Sequence, residues 1–333
     1  MRAVVITKHG PPEVLKVEDR PPPGRPQGDE LLIDVGAAGV NFADTMARVG
    51  LYPDAPKPPC VVGYEVAGTV AAVGPAVEGI AEGDRVMGGT RFGGYAAQVK
   101  IKASDAVALP DGLSFEEGAA IPVSYATAWA ALIGYGVVKP GERVLVHAAA
   151  GSVGIAATQI AKRAGAEVWG TSSPRKHDVL REQGVDHPLD YTRDGWEKGV
   201  PELDLVMDAL GGPSFRRSYN LMRPGGRLVA FGASAVMSGE KRNIVAAART
   251  AVRMPRFNMI KQMSESKAVI GLNMLKLWDD RGTLEPWIHP LREMLDDGTI
   301  KPVVSDAVPF DNAPEAHRII AERRNVGKVV LVP

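Results

Sequence analysis

A turn of small residues separates an apolar run from an amphipathic one near the middle of the chain. Residues 144–146 are apolar, and the turn at 147–154 reads His-Ala-Ala-Ala-Gly-Ser-Val-Gly. Apolar residues then recur with the spacing of one helix face, at Val153, Ala157, Ile160 and Ala164. Small residues let backbone approach a ligand, and a helix N-terminus directs free N–H groups toward it. The pattern predicts a site for the phosphates of a dinucleotide, formed by Ala150, Gly151, Ser152, Val153 and Gly154.

The flanking sequence distinguishes a nucleotide site from an ordinary tight turn. Gly151 and Gly154 keep the last spacing of the fingerprint G-x-G-x-x-G, whereas alanines occupy the earlier glycine positions. After the turn, strands and helices alternate as a doubly wound parallel sheet requires. The predicted strands are 167–170, 186–189, 203–209, 227–231 and 268–272, and the predicted helices are 176–183, 215–221 and 285–296. In the first helix, Gln159, Lys162 and Arg163 are expected largely away from the apolar face.

The end of the second strand discriminates NAD from NADP. A carboxylate about 20 positions after the glycine turn would bind the ribose 2′-hydroxyl of NAD. Residues 170–176 instead read Gly-Thr-Ser-Ser-Pro-Arg-Lys, and hydroxyls with cations suit a 2′-phosphate. NADPH is therefore predicted, with Ser172, Ser173 and Arg175 as candidate ligands, although this turn is also an ordinary helix start. Leu210, Phe231 and Gly232 follow two later strands and are predicted to line the cofactor.

Composition bounds the class of protein. The 333 residues are too many for one ordinary core and predict two domains. Hydrophobic residues make up 45% and charged residues 23%, and no apolar stretch approaches the ~20 residues of a membrane span. With no secretory leader evident, a cytoplasmic protein is expected. Basic and acidic residues both number 39, so no overall field attracts nucleic acid. Cys60, the single cysteine, excludes an intramolecular disulfide and a Cys-rich zinc lobe.

Short strands with glycine turns dominate the first part of the chain. The predicted strands are 3–7, 14–17, 30–35 and the glycine-punctuated segment 61–74. Many short strands of this kind indicate a β-rich, barrel-like domain.

Six motifs, in order along the whole chain, carry a family resemblance. They are Gly-Val-Asn-Phe-Ala-Asp (39–44), Gly-Tyr-Glu-Val-Ala-Gly (63–68), Gly-Asp-Arg-Val (83–86), Gly-Gly-Tyr-Ala (93–96), Ala-Gly-Ser-Val-Gly (150–154) and Asn-Val-Gly-Lys-Val-Val-Leu-Val-Pro (325–333). With them the chain resembles the medium-chain dehydrogenase/reductase superfamily and is most similar to its zinc-free quinone oxidoreductases. Residues 241–250 resemble the vesicle-amine-transport-protein-like branch. The resemblance implies an α/β protein with a GroES-like β-rich catalytic domain (1–123 and 273–333), a Rossmann nucleotide-binding domain (124–272) and an active site between them.

The resemblance also argues against a catalytic metal. Zinc-dependent relatives carry Cys, His and Cys near the positions of Asn41, Tyr64 and Val123, none of which is a zinc-type ligand here. Without a Lewis acid, oxidation of an alcohol is poorly supported. Reduction of a polarised acceptor, a quinone or an α,β-unsaturated carbonyl, fits better, because the protein need only orient it and stabilise the developing enolate oxygen.

Further site residues are implied by the resemblance. Asn41 would face the nicotinamide, Tyr52 would donate a proton, and Thr127 would lie beside the nicotinamide; the alternatives are a helix cap, a partly buried aromatic residue and a helix-start hydroxyl. Lys176 would bind the 2′-phosphate, and Tyr191 would stack near the adenosine. Asn325 would point at the cofactor, with a turn residue as the alternative. His147 is assigned a packing role.

A basic segment interrupts the second domain at about 235–263. Six cations without an acid lie between 241 and 261, four of them spaced as one helical face, at Arg242, Arg249, Arg253 and Arg256. A solvated face is the preferred interpretation, and the alternatives are a contact with an acidic substrate arm or with anionic lipid.

The strand at 268–272 implies a homodimer, since zinc-free relatives pair this strand with its copy in a second subunit. The leading hypothesis is an NADPH-dependent, zinc-independent reductase of small-molecule quinones or α,β-unsaturated carbonyls. The alternative is an NADPH-binding regulatory or membrane-associated protein with little or no turnover.

Overall fold

The computed structural model describes residues 1–236 and 252–333, so much of the predicted basic segment lies outside the described residues. The strands of the described part are β1 (Arg2–Ile6), β2 (Leu15–Asp19), β3 (Glu30–Val40), β4 (Glu65–Val73), β5 (Arg85–Gly89), β6 (Gln98–Lys102), β7 (Ala106–Ala108), β8 (Arg143–Val146), β9 (Glu167–Ser172), β10 (His187–Asp190), β11 (Leu203–Asp208), β12 (Met222–Ala230), β13 (Ala268–Gly271), β14 (Val304–Pro309) and β15 (Lys328–Val332).

The described α-helices are short to medium in length. They are α1 (Phe42–Val49), α2 (Phe115–Gly118), α3 (Pro122–Trp129), α4 (Ser152–Arg163), α5 (His177–Glu182), α6 (Pro213–Asn220), α7 (Met259–Glu265), α8 (Met274–Arg281), α9 (Glu285–Ile288), α10 (Leu291–Asp296) and α11 (Ala313–Ala321). A π-helical stretch, Ala130–Tyr135, continues α3. No helix within the two described ranges has the length and apolar character that crossing a bilayer would need.

Six strands form a parallel sheet in the order β10-β9-β8-β11-β12-β13. Numbered from β8, this order is 3-2-1-4-5-6, the arrangement of a doubly wound dinucleotide-binding fold. The strand order reverses between β8 and β11, and ligands of such sheets bind in the crevice at the carboxyl ends of these strands. The predicted doubly wound sheet is confirmed, and it puts the turn at 147–154 beside this crevice.

The second sheet combines both ends of the chain. Its order is β14-β15-β3-β4-β5-β7, with β6 also paired to β3. The long strand β3 pairs antiparallel with β15, so the last strand of the chain lies against the first half of the sequence. The boundaries at 123 and 273 stay a prediction, because the largest hydrophobic cluster includes buried residues from both sheets.

One detail of the sequence interpretation is wrong. The helix predicted over 285–296 is divided into α9 and α10, since Pro290 lacks an N–H and its ring crowds the preceding turn. Gln159, which was expected to lie largely away from the apolar face of α4, is nevertheless buried. Its Oε1 accepts from the Tyr125 hydroxyl (2.7 Å) and the Lys301 N–H (3.1 Å), and its Nε2 donates to the Lys301 carbonyl (2.9 Å). The segment that leads into β14 of the second sheet therefore covers another side of α4.

Candidate active site

The turn after β8 leaves helix N–H groups free to meet an anion. Helix α4 begins at Ser152, and its N-cap, Gly151, has extended backbone angles and no side-chain cap. The first N–H groups of a helix have no partner within it, so those of α4 are available at the sheet's crevice. The Gly151 N–H donates to the Ala148 carbonyl at 2.9 Å, which closes the turn tightly.

The glycines and alanines of this turn have different structural roles. A Cβ on Gly154 would lie 2.5 Å from the Ala148 carbonyl oxygen and 2.6 Å from the Ala149 Cα, so only glycine fits there. A Cβ on Gly151 would meet nothing closer than 3.3 Å. Ala148 has φ 53°, a left-handed conformation that ordinarily favours glycine. The fingerprint's early glycine is thus absent from the sequence while its backbone geometry is kept.

A buried carboxylate organises the opposite wall of the crevice. Asp208, at the end of β11, accepts from the Leu210 N–H (2.7 Å) and from the hydroxyls of Ser214 and Ser218 (both 2.7 Å). The Ala235 N–H donates to the Leu210 carbonyl at 2.8 Å, which joins this loop to the one that follows β12. Asp208 therefore fixes the loop that carries Leu210.

Close backbone packing fixes the neighbouring loop, which contains Phe231 and Gly232. The Phe231 N–H donates to the Asp208 carbonyl at 3.1 Å. A Cβ on Gly232 would come within 2.9 Å of the Ala209 carbonyl oxygen, so the two loops touch here.

His147 is buried, and its ring nitrogens contact the hydroxyls of Thr171 (3.2 Å) and Ser218 (3.0 Å). Burial lowers its pKa, which is consistent with a neutral, packing histidine.

Three cations converge at the carboxyl end of β9. Lys176 Nζ donates to the carbonyls of Arg323 (2.9 Å) and Asn325 (2.5 Å), and Arg175 donates to the Arg323 carbonyl (3.1 Å). Burial, together with the charges of Arg175 and Arg323, lowers the pKa of Lys176 to about 8. Cations forced together in this way need an anion, and a phosphate monoester supplies one. Arg323 was missed in the sequence because it lies far along the chain from the other two.

The remaining candidates near this cluster, Ser172, Tyr191 and Asn325, make hydrogen bonds with nearby backbone groups. Ser172 is buried, and its hydroxyl donates to the Ser173 carbonyl at 3.1 Å. Tyr191 is 42% exposed next to this pair, with its N–H directed at the Ser172 carbonyl (3.4 Å). The amide of Asn325 donates to the Gly327 carbonyl (2.8 Å) within its own turn. Their contacts with a cofactor stay predictions.

A buried ion pair lies where the two sheets meet. Lys328, 2% exposed, donates from Nζ to a carboxylate oxygen of Glu65, which is fully buried. Nζ also donates to Asn41 Oδ1 (2.7 Å), and Asn41 Nδ2 donates to Glu65 Oε1 (2.9 Å). The other Glu65 oxygen accepts from the Val123 N–H (2.7 Å). Both ends of the Asn41 amide are thus engaged, which favours a positioning role over the predicted direct contact with nicotinamide.

This ion pair is linked to the nucleotide turn through two serines. Ser124, at 3.5 Å from Lys328 Nζ, shares a hydrogen bond with Ser152, the first residue of α4. The Gly327 N–H also donates to the Ala150 carbonyl (2.8 Å), so the strand that carries Lys328 begins directly against the turn. Glu65, Ser124 and Lys328 were not singled out in the sequence as site residues.

Tyr52 and Thr127 differ in how far their hydroxyls are free. The Thr127 hydroxyl donates to the Val123 carbonyl within α3 (2.7 Å), so its donor is used inside the helix. Tyr52 lies edge-on to Tyr64, with ring centroids 6.3 Å apart. Burial and the nearby carboxylates of Asp54 and Asp44 raise the pKa of Tyr52 to about 12. The phenol therefore stays protonated at neutral pH and can donate a hydrogen bond.

The described residues contain no group of three or more His, Cys, Asp or Glu side chains placed to hold a metal. At the positions compared with zinc ligands, Asn41 binds Lys328 and the Val123 side chain has no donor atom. The cation that is buried against Asn41 is the ammonium group of Lys328.

Comparison with known proteins places these features in a family. The alcohol dehydrogenase GroES-like domain matches residues 27–111, and the zinc-binding dehydrogenase domain matches residues 183–331. The chain is 36% identical over 340 residues to the rat synaptic vesicle membrane protein VAT-1 homolog, covering all of this chain and 84% of that protein.

Solved structures agree with this assignment. Escherichia coli quinone oxidoreductase complexed with NADPH superposes over the whole of both chains, with a TM-score of 0.83 and 30% identity. CurK enoyl reductase superposes with a TM-score of 0.86 and 25% identity over 99% of this chain and 98% of that one. The predicted combination of a GroES-like domain with a Rossmann domain is confirmed.

Proposed function

Because the chain belongs to the VAT-1-like quinone oxidoreductase family of medium-chain dehydrogenases/reductases, we propose that it is a zinc-independent, NADPH-dependent reductase of quinones or α,β-unsaturated carbonyls. The observation that carries the proposal is that one short segment, residues 325–328, contacts three elements in turn. The Asn325 carbonyl accepts from Lys176, the Gly327 N–H donates to the Ala150 carbonyl in the turn before α4, and Lys328 pairs with Glu65. A 2′-phosphate, a pyrophosphate and a nicotinamide follow one another in the same order along the cofactor.

The residues present fit this cofactor, whose bound form supplies a hydride from the nicotinamide ring. Gly154 lets α4 approach the turn closely enough to direct its N-terminus at the pyrophosphate. Lys328 would hold Asn41 and Glu65 in place beside it, since all three residues lie on or directly after neighbouring strands of the second sheet. Tyr52 is protonated at neutral pH and would give a hydrogen bond to the acceptor oxygen, which develops negative charge during reduction.

Turnover is the direct test of this function. NADPH oxidation should be followed by the loss of the reduced nicotinamide's absorbance at about 340 nm. The acceptors are a quinone, an enone and an enoyl thioester. Turnover with a quinone or an enone supports the proposal. Tight NADPH binding without turnover of any of the three acceptors would contradict it and favour the regulatory alternative.

The 2′-phosphate assignment predicts a selective change in cofactor affinity. Lys176→Met removes one charge-assisted hydrogen bond, so we expect the Kd for NADPH to rise about 10- to 100-fold and that for NADH to change less than about twofold. Arg323→Ala should act in the same direction. The measurement is quenching of intrinsic fluorescence on titration with each cofactor. Equal losses for both cofactors would contradict the assignment.

The pH dependence of NADPH binding provides a second measurement on the same site. The pKa of Lys176 in the free protein is lowered to about 8, and only the charged form pairs with the phosphate. Above pH 8 the free protein must take up a proton to bind, so the Kd for NADPH should rise with pH, while that for NADH stays flat. In Lys176→Met the two profiles should become parallel.

A homodimer through β13 is proposed with the reductase. β13 is an edge strand of the described sheet, and beside it lies a groove of about 430 Å³ lined in part by Met259, Met263 and Val269. Met259 and Met263 are 69% and 73% exposed, and an apolar surface of this kind is typical of an interface. Met263→Asp should reduce the mass measured by light scattering from that of a dimer to that of a monomer. Lys16→Asp, on β2 of the other domain, is the control and should leave it unchanged.

Membrane association is a second candidate, favoured by Ile260, which is 77% exposed on α7 and next to Lys261 in the sequence. Exposed apolar residues beside a cation are typical of contact with an anionic interface. Co-sedimentation with phosphatidylserine vesicles that is lost in Ile260→Asp would support it. Absence of co-sedimentation at low salt would exclude it. The cytoplasmic location stays a prediction and belongs to the proposal of an NADPH-dependent reductase.

A further inference from the structure

Tyr64 carries a buried hydroxyl that the network beside it does not use. The residue is 5% exposed, and its hydroxyl makes no hydrogen bond of normal length and angle within the described part of the chain, although the Tyr52 phenol lies close to it. Burial of a hydroxyl without a good hydrogen bond destabilises the fold, and phenylalanine would fill the same space without that cost. A tyrosine at this position therefore calls for a use of its oxygen.

The surroundings of Tyr64 suit a planar ligand. Its ring lies 5.2 Å from the Phe92 ring, tilted at 52°, and 6.3 Å from the Tyr52 ring, nearly perpendicular at 86°. These three rings, Tyr52, Tyr64 and Phe92, form an aromatic group whose faces and edges can contact a flat conjugated molecule.

Helix α8 holds the two loops that carry Tyr52 and Phe92. Lys276 pairs with Asp54 (2.7 Å), and Arg91 pairs with Asp279 (2.6 Å). Asp54 lies two residues after Tyr52, and Arg91 directly precedes Phe92, while their partners are on α8. The two ion pairs therefore fix the loops that carry these aromatic residues. The Tyr64 backbone is fixed as well, since its carbonyl accepts from the Thr90 N–H at 2.8 Å.

Chain position connects the aromatic group to the Glu65–Lys328 network, beside which the nicotinamide is proposed to lie. Tyr64 directly precedes Glu65, the carboxylate that holds Asn41 and Lys328. Burial and the charge of Asp44 raise the pKa of Tyr64, so it remains a protonated donor.

We infer that the Tyr64 hydroxyl donates a hydrogen bond to the carbonyl oxygen of the acceptor, and that this contact helps to select quinones and other conjugated carbonyls over saturated ketones. The inference rests on the proposed function. Tyr64 then acts beside Tyr52, whose phenol is the more accessible of the two. No proton transfer is assigned to Tyr64, because a hydrogen bond to the developing enolate oxygen is sufficient for orientation and selectivity.

The test measures acceptor binding separately from turnover. NADP⁺-loaded protein has no hydride to transfer, so the Kd of 1,4-naphthoquinone can be measured by calorimetry without reaction. In Tyr64→Phe we expect this Kd to rise about tenfold, as loss of one buried hydrogen bond implies. The NADPH Kd should stay within about twofold, and the Tm should be unchanged or higher because a buried hydroxyl without a good hydrogen bond has been removed.

Tyr219→Phe is the matched control. The Tyr219 hydroxyl is also buried and makes no hydrogen bond of normal length and angle within the described residues, where it lies close to Glu265. Its ring packs on Phe257 (5.2 Å) on α6's side of the parallel sheet. Removal of the Tyr219 hydroxyl should change neither quinone nor NADPH binding.

The outcomes separate this inference from the proposed function. A wild-type Kd in Tyr64→Phe, or a fall in Tm together with loss of both ligands, would overturn the inference; so would failure of the wild-type complex to bind the quinone. Weaker quinone binding in the variant supports it even where the wild-type enzyme does not turn the quinone over, a result that would sink only the proposed function.

Discussion

Lys328→Met is expected to lower the free energy of unfolding by about 3–5 kcal/mol, because it leaves the Glu65 carboxylate buried without its counter-charge. Both side chains of the pair are almost completely buried, at 1% and 0% exposed, so solvent cannot replace the ammonium group. Asn41 Oδ1 loses its donor as well. Urea denaturation followed by circular dichroism measures the change.

The double variant Lys328→Met, Glu65→Gln should recover more than half of that loss. The new amide keeps an acceptor for the Val123 N–H, and rotation of the Asn41 amide lets its oxygen accept from the new Nε2. Lys100→Met is the matched control. Its 2.8 Å pair with Glu30 is partly exposed, so its removal should cost no more than about 1 kcal/mol. Equal losses in Lys328→Met and Lys100→Met would show that the buried pair contributes nothing special.

The same network shows what sequence reasoning can reach. Asn41 was found through its motif, but its partner Lys328 lies 287 positions away, and nothing local to either residue indicates the contact. Pairing of β15 with β3 creates it, and strand pairing across the whole chain is not written in a local pattern. A lysine in Asn-Val-Gly-Lys reads equally well as a surface residue before a strand.

Local patterns were sufficient where a single element decides the structure. The apolar run, the turn of small residues and the helix stripe predicted β8 and α4, and the alternation after them predicted the parallel sheet. The burial of Gln159 could not be predicted in this way, because a chain segment more than a hundred residues later supplies two of its hydrogen bonds. Burial of a polar side chain depends on partners that only the tertiary structure provides.

The cation cluster lies between these two cases. Arg175 and Lys176 are adjacent in sequence, and their charges were sufficient to predict a phosphate. The backbone carbonyl of Arg323 accepts from Lys176, and this contact keeps the Arg323 charge close to Lys176. Arg323 has a left-handed backbone conformation (φ 56°) that no sequence pattern predicts. The prediction of NADPH was therefore correct in kind while the third cation was missing from it.

Gly154→Ala is the second change with a large expected effect, and it tests whether close packing of α4 on the turn is what creates the phosphate site. The added Cβ would lie 2.5 Å from a backbone oxygen and 2.6 Å from a backbone carbon, neither of which can move without shifting the turn or the helix. Overpacking of this kind costs about 1–3 kcal/mol of folding stability. The displaced helix end should weaken NADPH binding about 100-fold.

Gly151→Ala is the control that separates packing from ligand approach. Its Cβ would come no closer than 3.3 Å to any neighbour, and its φ of −82° suits alanine, so stability should change by less than about 0.5 kcal/mol. NADPH affinity should still fall, because a methyl group would stand where the backbone meets the pyrophosphate. Gly154→Ala should thus lose stability and binding together, whereas Gly151→Ala should lose binding alone. If Gly151→Ala bound NADPH as tightly as the wild type, the pyrophosphate would have to lie elsewhere than against this turn.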